Sequence, residues 1–227
     1  MRVSAVAFDL DNTLWDAEPV IARAEQLLQA WLLEHCPKIT QRVSPEEMRL
    51  ARQRLALAEP HRAHDFTYLR IASLTKHARE CGYEDAIAER AFEVFFAARN
   101  QVEVYPEVRR SLERLRSRFK LASLSNGNAD LGRIGLAPLF EFSLSSREVG
   151  VAKPHPGGFT EIASRLALPP GQILYVGDDP VFDVQAARAA GMRTAWMNRR
   201  DLQWPAQIAA ADLVVRDCAE LASALGV

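Results

Sequence analysis

Apolar residues along the chain are spaced in three ways, and each spacing predicts a different kind of structure. Residues 3–8 form a short, nearly continuous apolar run, which is typical of a β-strand covered on both faces. From about residue 17 to residue 100 the apolar residues recur at helical spacing. From residue 102 onward, short apolar runs alternate with helical patterns. Strands that alternate with helices predict a parallel, doubly wound sheet.

Four helices and no strand are predicted between residues 17 and 100. The second helix begins after Ser44, because the sequence Ser-Pro-Glu-Glu provides an N-cap serine, a proline at the first helical position and an acid three residues after the cap. Asp65 predicts the start of the third helix, and Gly82 predicts its end. This all-helical stretch is therefore an insert between the first strand and the rest of the sheet.

The remaining chain predicts five further strands with helices between most of them. The strands are expected at residues 120–125, 140–145, 173–177, 194–197 and 213–215. Helices are expected at residues 106–118, 156–167 and 180–190. The predicted fold class is α/β, a doubly wound parallel sheet with an inserted four-helix domain. The predicted division gives residues 1–16 and 102–227 to the sheet domain and residues 17–101 to the insert.

Composition excludes several classes of protein. The chain carries 28 Lys and Arg against 29 Asp and Glu, a formal net charge of −1, which argues against nucleic acid as a main partner. Three widely spaced cysteines without a CxxC motif indicate a reduced, cytoplasmic protein rather than a disulfide framework. No apolar run approaches the roughly 18 residues that a membrane span requires. We therefore expect a cytoplasmic protein with no membrane partner.

An acid pair follows the first predicted strand, at the edge where parallel sheets place their sites. Asp9 and Asp11 are two residues apart, so on an extended backbone their side chains point the same way. Such a pair can bind a divalent cation, or one acid can attack while the other moves protons. The alternative is a turn in which Asp11 and Asn12 hydrogen-bond their own backbone.

Two further clusters follow later in the chain. Ser125, Asn126 and Gly127 come directly after a predicted strand, and a hydroxyl beside a glycine-containing turn suits a phosphate oxygen. A plain helix N-cap is the alternative for this serine. Lys153 precedes Pro154 in a loop, and its alternative is an ordinary solvated charge.

The last cluster gathers three acids at the end of an apolar strand. Asp178, Asp179 and Asp183 follow Gly177, and such a group is unfavourable unless a cation or hydrogen-bond donors neutralise it. The alternative is an N-cap with acids on the helix dipole.

The order acid pair, hydroxyl, lysine and acid cluster resembles the haloacid dehalogenase (HAD) superfamily of phosphohydrolases, over essentially the whole chain. The resemblance is carried by DLDNT at 9–13, SNG at 125–127, the Lys-Pro pair at 153–154, and GDD with Asp183. YP at 105–106 and ARAAGM at 187–192 also fit it, and the insert resembles the small helical cap of the C1 type.

Four sequence segments, most of them longer than these motifs, resemble a smaller group of enzymes within the superfamily. DLDNTLWDAEPVIARAEQ, AEPHRAHDFTYLR, SNGNA and GDDPVFDVQAARAAGM resemble bacterial phosphatases of riboflavin biosynthesis. Those enzymes act on FMN and on 5-amino-6-(5-phospho-D-ribitylamino)uracil. The resemblance therefore implies a phosphorylated small molecule as the substrate.

The resemblance also implies a role for each matching residue. Asp9 would attack phosphorus to give an aspartyl-phosphate, and Asp11 would protonate the leaving alcohol and then deprotonate water. Mg²⁺ would be held by Asp9, by the backbone carbonyl of Asp11 and by Asp178. The phosphate would be bound by Ser125, Asn126 and Lys153. Asp183 would lie next to the metal site, and because an adjacent acid pair binds the metal in some relatives, Asp179 could take part as well.

Substrate recognition is expected from one aromatic residue and from a polar string in the insert. The candidates are Trp15, His61, His64, Asp65, Tyr68 and Arg70. Trp15 could stack on a flat substrate ring, and packing of the cap hinge is its equal alternative.

Three other functions stay open at this stage. A hydrolytic 2-haloacid dehalogenase resembles the same superfamily, but those enzymes use one aspartate and no metal, so Asp11 and Asp178 argue against it. A phosphomutase would require the exclusion of water. A catalytically silent binding protein is disfavoured because all four chemical clusters are present.

Overall fold

The computed structural model describes residues 3–227, which form two compact units. The sheet unit combines the chain up to Asp16 with Glu103–Val227, and the helical unit spans Ala17–Val102. The predicted division placed the second boundary one residue earlier. Residues 1 and 2 of the predicted first segment lie outside the described residues.

Six parallel strands form the sheet, in the order β3-β2-β1-β4-β5-β6. They are β1 (Ala5–Phe8), β2 (Lys120–Ser125), β3 (Phe142–Ser145), β4 (Ile173–Gly177), β5 (Arg193–Met197) and β6 (Leu213–Val215). The chain fills one side of β1 first and then the other, so the order reverses between β1 and β4, where open parallel sheets place their ligands. The predicted doubly wound parallel sheet is confirmed.

The helical unit contains five α-helices and one short 3₁₀ turn. These are α1 (Ala17–His35), α2 (Pro37–Arg42), α3 (Pro45–Ala58), the turn Pro60–Arg62, α4 (Phe66–Glu80) and α5 (Ala86–Arg99). The predicted capping box is present: the Ser44 hydroxyl accepts from the Glu47 N–H, and the Glu47 carboxylate accepts from the Ser44 N–H. The four predicted helices are found, and the short α2 is additional because Pro37 starts a single further turn after α1.

Helices connect most of the strands of the sheet unit. They are α6 (Val108–Arg116), α7 (Leu131–Ile134), α8 (Ser146–Val149), α9 (Gly157–Leu166), α10 (Ala186–Ala189) and α11 (Cys218–Ala224), with 3₁₀ turns at Ala137–Leu139 and Pro170–Gln172. The helix predicted over 180–190 is in two parts, because a π-helical segment, Pro180–Gln185, precedes α10. The third strand starts two residues later than predicted, since a 3₁₀ turn comes shortly before it.

Each unit has its own apolar core. In the sheet unit, side chains of β1, β2 and β4 pack with those of α9 and α10; they include Ala7, Leu124, Phe159, Ile162, Tyr175 and Ala187. In the helical unit, the core joins α1, α4 and α5; it includes Leu28, Leu32, Leu74, Ala91 and Phe95. None of the helices within residues 3–227 combines the length and the hydropathy that a bilayer crossing requires.

Candidate active site

The acids and the hydroxyl that the sequence singled out lie at the carboxyl ends of three neighbouring strands. Asp9 directly follows β1, Ser125 ends β2, and Asp178 directly follows β4. The strands are in parallel register, with Phe8 beside Ser123 and Val176. Residues that are far apart in sequence therefore meet at one edge of the sheet.

Lys153 is the cation at the centre of this edge. Its Nζ lies 2.6 Å from Asp9 Oδ1, 2.6 Å from Asp183 Oδ1 and 3.1 Å from the Tyr175 hydroxyl. The side chain is only 3% exposed, so the alternative of a solvated lysine is wrong. An ammonium group has three N–H donors, and the three acceptors occupy all of them.

Asp183 is held in place from both sides. Its Oδ1 accepts from Lys153, and its Oδ2 accepts from the backbone N–H of Asp179 at 3.0 Å. A Cβ at position 177 would lie 2.3 Å from the Asp183 carboxyl group. Gly177 is therefore required for this close approach between the end of β4 and the π-helical segment.

Asp178 and Asp179 have different environments although they are adjacent. Asp179 caps the π-helical segment, because its Oδ1 accepts from the N–H groups of Val181 and Phe182 at 2.7 and 2.8 Å. The N-cap alternative therefore applies to Asp179. The backbone carbonyl of Asp178 accepts from the Trp196 indole at 2.8 Å, which fixes the main chain and leaves the half-buried carboxyl group beside Asp9 and Asp183.

Electrostatics at this edge favour binding of a cation. Burial raises the pKa of Asp178 to about 7, with a further contribution from Asp183. Burial also raises the pKa of Asp9, and Lys153 opposes this rise. Burial alone would lower the pKa of Lys153, but Asp183 and Asp9 outweigh it and hold that pKa above its ordinary value. The cluster therefore holds more carboxyl groups than its one ammonium can neutralise.

Ser125 and Asn126 serve different purposes. The Ser125 hydroxyl accepts from the Gly127 N–H at 3.0 Å, and its own hydrogen stays available to a ligand oxygen. Asp130, not Ser125, caps the following helix α7. The Asn126 amide donates to the Lys153 carbonyl at 3.0 Å and accepts from the Lys153 N–H at 2.7 Å. The side chain of Asn126 thus joins the loop after β2 to the loop that carries Lys153.

Two residues of this edge were missed at the level of the sequence. The Tyr175 hydroxyl accepts from Lys153 and donates to the Leu124 carbonyl at 3.0 Å, and Trp196 supports Asp178. Both side chains lie within apolar strands, where they count as core. For Tyr175 a signal existed, since its hydroxyl is the one polar side-chain group in β4.

Trp15 lies beside the acid pair but is fully buried. Its indole Nε1 donates to Asp11 Oδ1 at 2.8 Å. A buried ring offers no face to a substrate, so the structure favours the packing alternative.

The remaining specificity candidates all belong to the helical unit. His61 is exposed and His64 is half-buried. Asp65 caps α4 by accepting from the Tyr68 N–H at 2.9 Å, and the Tyr68 hydroxyl donates to Glu59 at 2.7 Å.

Arg70 is occupied inside the helical unit. Its Nη2 donates to Glu25 at 2.8 Å, and its guanidinium stacks 3.4 Å from the centre of the Phe95 ring. Burial, reinforced by nearby Arg52, lowers the pKa of Arg70 to about 10. These contacts support the packing of the helices.

A metal ion fits the acidic edge on chemical grounds. Within the described residues, Asp9, Asp178 and Asp183 each place one carboxylate oxygen within 4.8 Å of the others. Carboxylate oxygens are the ligands of hard cations such as Mg²⁺. Burial raises the pKa of both Asp9 and Asp178, and the neighbouring carboxyl group of Asp183 raises both further, so a bound cation would stabilise their ionised forms.

Comparison with known proteins agrees with this architecture. A family model described as haloacid dehalogenase-like hydrolase matches residues 3–191. The chain is 33% identical over 200 residues to the 5-amino-6-(5-phospho-D-ribitylamino)uracil phosphatase YigB of Escherichia coli K12, covering 86% of this chain and 84% of that protein.

Two solved structures are similar over nearly their full lengths. A 2-haloacid dehalogenase from Pseudomonas syringae pv. Tomato DC3000 superposes with a TM-score of 0.94 at 36% identity, covering 98% of each chain. A HAD phosphatase from Thermococcus onnurineus superposes with a TM-score of 0.71 at 26% identity, covering 99% of this chain and 98% of that one.

Proposed function

Because the chain belongs to the haloacid dehalogenase-like hydrolase family, we propose that this hydrolase is a Mg²⁺-dependent phosphatase of small-molecule phosphate monoesters. One observation carries the proposal. Asp9, Asp178 and Asp183 each place a carboxylate oxygen within 4.8 Å of the others, and the Lys153 ammonium group pairs with Asp9 and Asp183. This surplus of carboxylate suits a divalent cation, which a phosphatase of this kind needs and a dehalogenase does not.

Asp9 is the proposed nucleophile. A carboxylate oxygen attacks phosphorus, the bond from phosphorus to the ester oxygen breaks, and an aspartyl-phosphate forms. Lys153 holds the Asp9 carboxyl through Oδ1, which orients the group for attack. The Ser125 hydroxyl donates to a phosphoryl oxygen.

Asp11 is the proposed acid and base. It gives a proton to the leaving ester oxygen in the first step, so that an alcohol departs. It then takes a proton from the water that attacks the aspartyl-phosphate, which releases inorganic phosphate and restores Asp9.

The metal would be held by Asp9, by Asp178 and by the backbone carbonyl of Asp11. When bound, Mg²⁺ supplies positive charge that reduces the repulsion between the attacking carboxylate and the phosphate dianion. Asp183 keeps Lys153 in place and does not have to contact the ion itself.

A 2-haloacid dehalogenase is the second candidate. The 36% identity and TM-score of 0.94 to the Pseudomonas syringae enzyme favour it. Its chemistry would use Asp9 to displace halide from carbon, without a metal and without a second acid. Asp11 and the surplus carboxylates have no part in that reaction.

One experiment separates the two candidates. The purified protein is assayed for phosphate release from p-nitrophenyl phosphate in Mg²⁺, after EDTA and after Mg²⁺ is restored, and for chloride release from 2-chloropropionate. Phosphate release that stops in EDTA and returns with Mg²⁺ supports the proposal. Chloride release in EDTA without phosphate release overturns it. Asp9→Asn should abolish either activity, whereas Asp11→Asn should lower only phosphate release, and more for an alkyl ester than for p-nitrophenyl phosphate, whose leaving group needs no proton donor.

For the substrate, we propose a phosphorylated flavin or a ribityl precursor of one. The 33% identity to the Escherichia coli enzyme supports this choice. The test compares kcat/KM for FMN and for 5-amino-6-(5-phospho-D-ribitylamino)uracil with that for sugar phosphates, nucleotides and phosphoglycolate. A preference for any of the latter three groups would contradict the flavin proposal and leave the phosphatase proposal intact.

We also propose that Tyr68 of the helical unit helps to recognise the leaving group of the substrate. Tyr68→Ala should lower kcat/KM for FMN more than for acetyl phosphate, because only FMN has a large leaving group to recognise. Tyr83→Ala, a change of the same kind elsewhere in the helical unit, is the control. Equal losses on both substrates would exclude Tyr68 as a specificity residue.

A further inference from the structure

Trp15 packs in the interior and also makes a polar contact with the acid pair. Its ring is fully buried, and its only polar group, the indole Nε1–H, donates to Asp11 Oδ1 at 2.8 Å. A buried indole needs an acceptor for its N–H, and here the acceptor is a carboxylate of the acid pair.

Main-chain contacts fix the backbone of Trp15 without using the side chain of Asp11, although the two residues also form a parallel backbone bridge. Asn12 is in the left-handed region with φ of 60°, and its N–H donates to the Trp15 carbonyl at 2.7 Å. On the other side, the Leu14 carbonyl accepts from the Tyr105 N–H at 3.0 Å, and Trp15 pairs with Val104 in an antiparallel bridge. The chain therefore folds back after Asp11 and presents the indole N–H to it from a fixed position.

We propose that Trp15 is a positioning residue for Asp11, an inference that rests on the phosphatase function proposed above. An N–H can donate but cannot accept, so Asp11 Oδ1 is held as an acceptor and the transferable proton is on Oδ2. In the first step that proton moves from Oδ2 to the ester oxygen as the bond from phosphorus to this oxygen breaks. In the second step Oδ2 takes a proton from the attacking water. Trp15 fixes the rotation of the carboxyl group, so that Oδ2 points the same way in both steps.

The test uses the leaving group, because a proton donor matters most when the departing oxygen is strongly basic. Trp15→Phe removes the N–H and keeps an aromatic ring. Its kcat/KM relative to wild type is measured on glycerol 3-phosphate, an alkyl ester, and on p-nitrophenyl phosphate, whose phenolate leaves without help. We expect a loss of about ten-fold or more on the alkyl ester and less than about three-fold on the aryl ester, since general acid catalysis contributes roughly 10²–10⁴-fold.

Two further variants separate positioning from folding. Replacement of Trp15 by 3-benzothienylalanine exchanges only the N–H for sulfur and should reproduce the selective loss. Trp31→Phe makes the same change in helix α1, where the ring stacks on His35, and should leave both rates unchanged. In wild-type protein the hydrogen bond itself is tested by the ¹H–¹⁵N resonance of the Trp15 indole, which should move upfield in Asp11→Ala.

Three results would overturn the positioning role. They are equal losses on both esters in Trp15→Phe, no loss on either ester, and a Trp15 indole resonance that is unchanged in Asp11→Ala. Asp11→Asn keeps this result distinct from failure of the proposed function. If Asp11→Asn loses the alkyl ester selectively and Trp15→Phe does not, the phosphatase mechanism stands and only the positioning role fails. If the wild type releases no phosphate from either ester, both fail.

Discussion

At the scale of single residues, the candidate site depends on how one lysine is shared among several oxygens. Lys153 Nζ lies within 3.1 Å of Asp9, Asp183 and Tyr175. Its pKa is held high by Asp183 and Asp9 against the effect of burial, so it remains an ammonium group. The removal of any one partner should therefore change both the charge balance and the orientation of the other two.

Asp9→Asn should abolish turnover and leave the fold intact. The amide has the same shape but cannot attack phosphorus, and we expect turnover to fall by at least roughly 10³-fold. Stability should change little, because the variant loses an ion pair with Lys153 but also removes one of the crowded carboxyl groups. Steady-state kinetics and circular dichroism measure the two effects.

The matched control is Asp201→Asn. Asp201 is exposed, with φ of 51°, a conformation that asparagine adopts as readily as aspartate. This variant should keep full activity. Substantial turnover by pure Asp9→Asn protein would remove Asp9 as the nucleophile.

Tyr175→Phe should destabilise the protein and lower turnover without abolishing it. The change leaves the buried Leu124 carbonyl without its donor and Lys153 without one of its three acceptors. The loss of a buried hydrogen-bond partner costs about 1–3 kcal/mol, which urea unfolding can measure. Tyr83→Phe, at a less buried hydroxyl in the helical unit, should cost less. Equal costs would show that the Tyr175 hydroxyl has no special role.

At the scale of secondary structure elements, the site requires a local departure from α-helical geometry. After β4 the Asp179 carbonyl accepts from the N–H of Asp183 at 3.1 Å and from that of Val184 at 3.2 Å, so the first turn is widened to a π-helical one. Single π-helical turns are rare and occur frequently at functional sites. Here the turn carries Asp183 next to Gly177 and within reach of Lys153.

His77, in helix α4, should make the free energy of unfolding depend on pH. The ring is buried, and within the described residues neither of its nitrogens has a hydrogen bond; the Glu80 carboxylate lies 3.8 Å from Nδ1. Burial lowers the pKa of His77, with Glu80 opposing. As the pH falls below the ordinary histidine pKa of about 6.5, unfolded chains bind a proton that the folded form resists. The free energy of unfolding should therefore decrease with falling pH, down to the folded pKa.

The measurement compares urea unfolding of wild type and of His77→Leu between pH 7.5 and pH 5. The variant should lose less stability over this range than the wild type, because it has no buried imidazole whose protonation favours the unfolded chain. His35→Leu makes the same change at an exposed position in α1 and should follow the wild type. Parallel pH profiles for wild type and His77→Leu would contradict the prediction.

At the scale of the whole molecule, one chain forms two units because the helical unit is inserted after β1. The segments on either side of the insert contribute strands to one sheet, with β1 between β2 and β4. The proposed nucleophile Asp9 and the proposed acid Asp11 therefore belong to the first segment, while Lys153, Asp178 and Asp183 belong to the second.

Mg²⁺ should raise the thermal unfolding temperature of the whole protein. Binding to the folded state alone adds about 2.7 kcal/mol at 100 times Kd, which corresponds to several degrees for a chain of this size. Asp178→Asn should lose most of this response, because it removes a proposed ligand, whereas Asp201→Asn should keep it. An equal shift in Asp178→Asn would place the ion elsewhere.

The sequence by itself determined those elements that local forces dictate. The strands at 120–125, 173–177 and 213–215 match their predicted bounds, because each is an apolar run between breaking residues. The helix after Ser44 forms where its capping box predicts it, since the cap involves four consecutive residues. The two carboxyl groups of Asp9 and Asp11 are likewise a local feature of an extended chain.

Only the tertiary structure decided which of these residues meet. Lys153 and Asp9 are 144 positions apart; the Lys-Pro pair marked Lys153 through its family resemblance, but no local pattern predicts its burial or its contact with Asp9. Local spacing also does not predict that Arg70 contacts Glu25, 45 positions away, or that the Tyr175 hydroxyl accepts a hydrogen bond from Lys153. Such contacts depend on the order of strands in the sheet and on how the helices pack together. Local spacing specifies a strand or a helix. Only the packing of distant segments excludes water from a charged group, and a charge without water is unfavourable unless an opposite charge or a hydrogen-bond partner lies beside it.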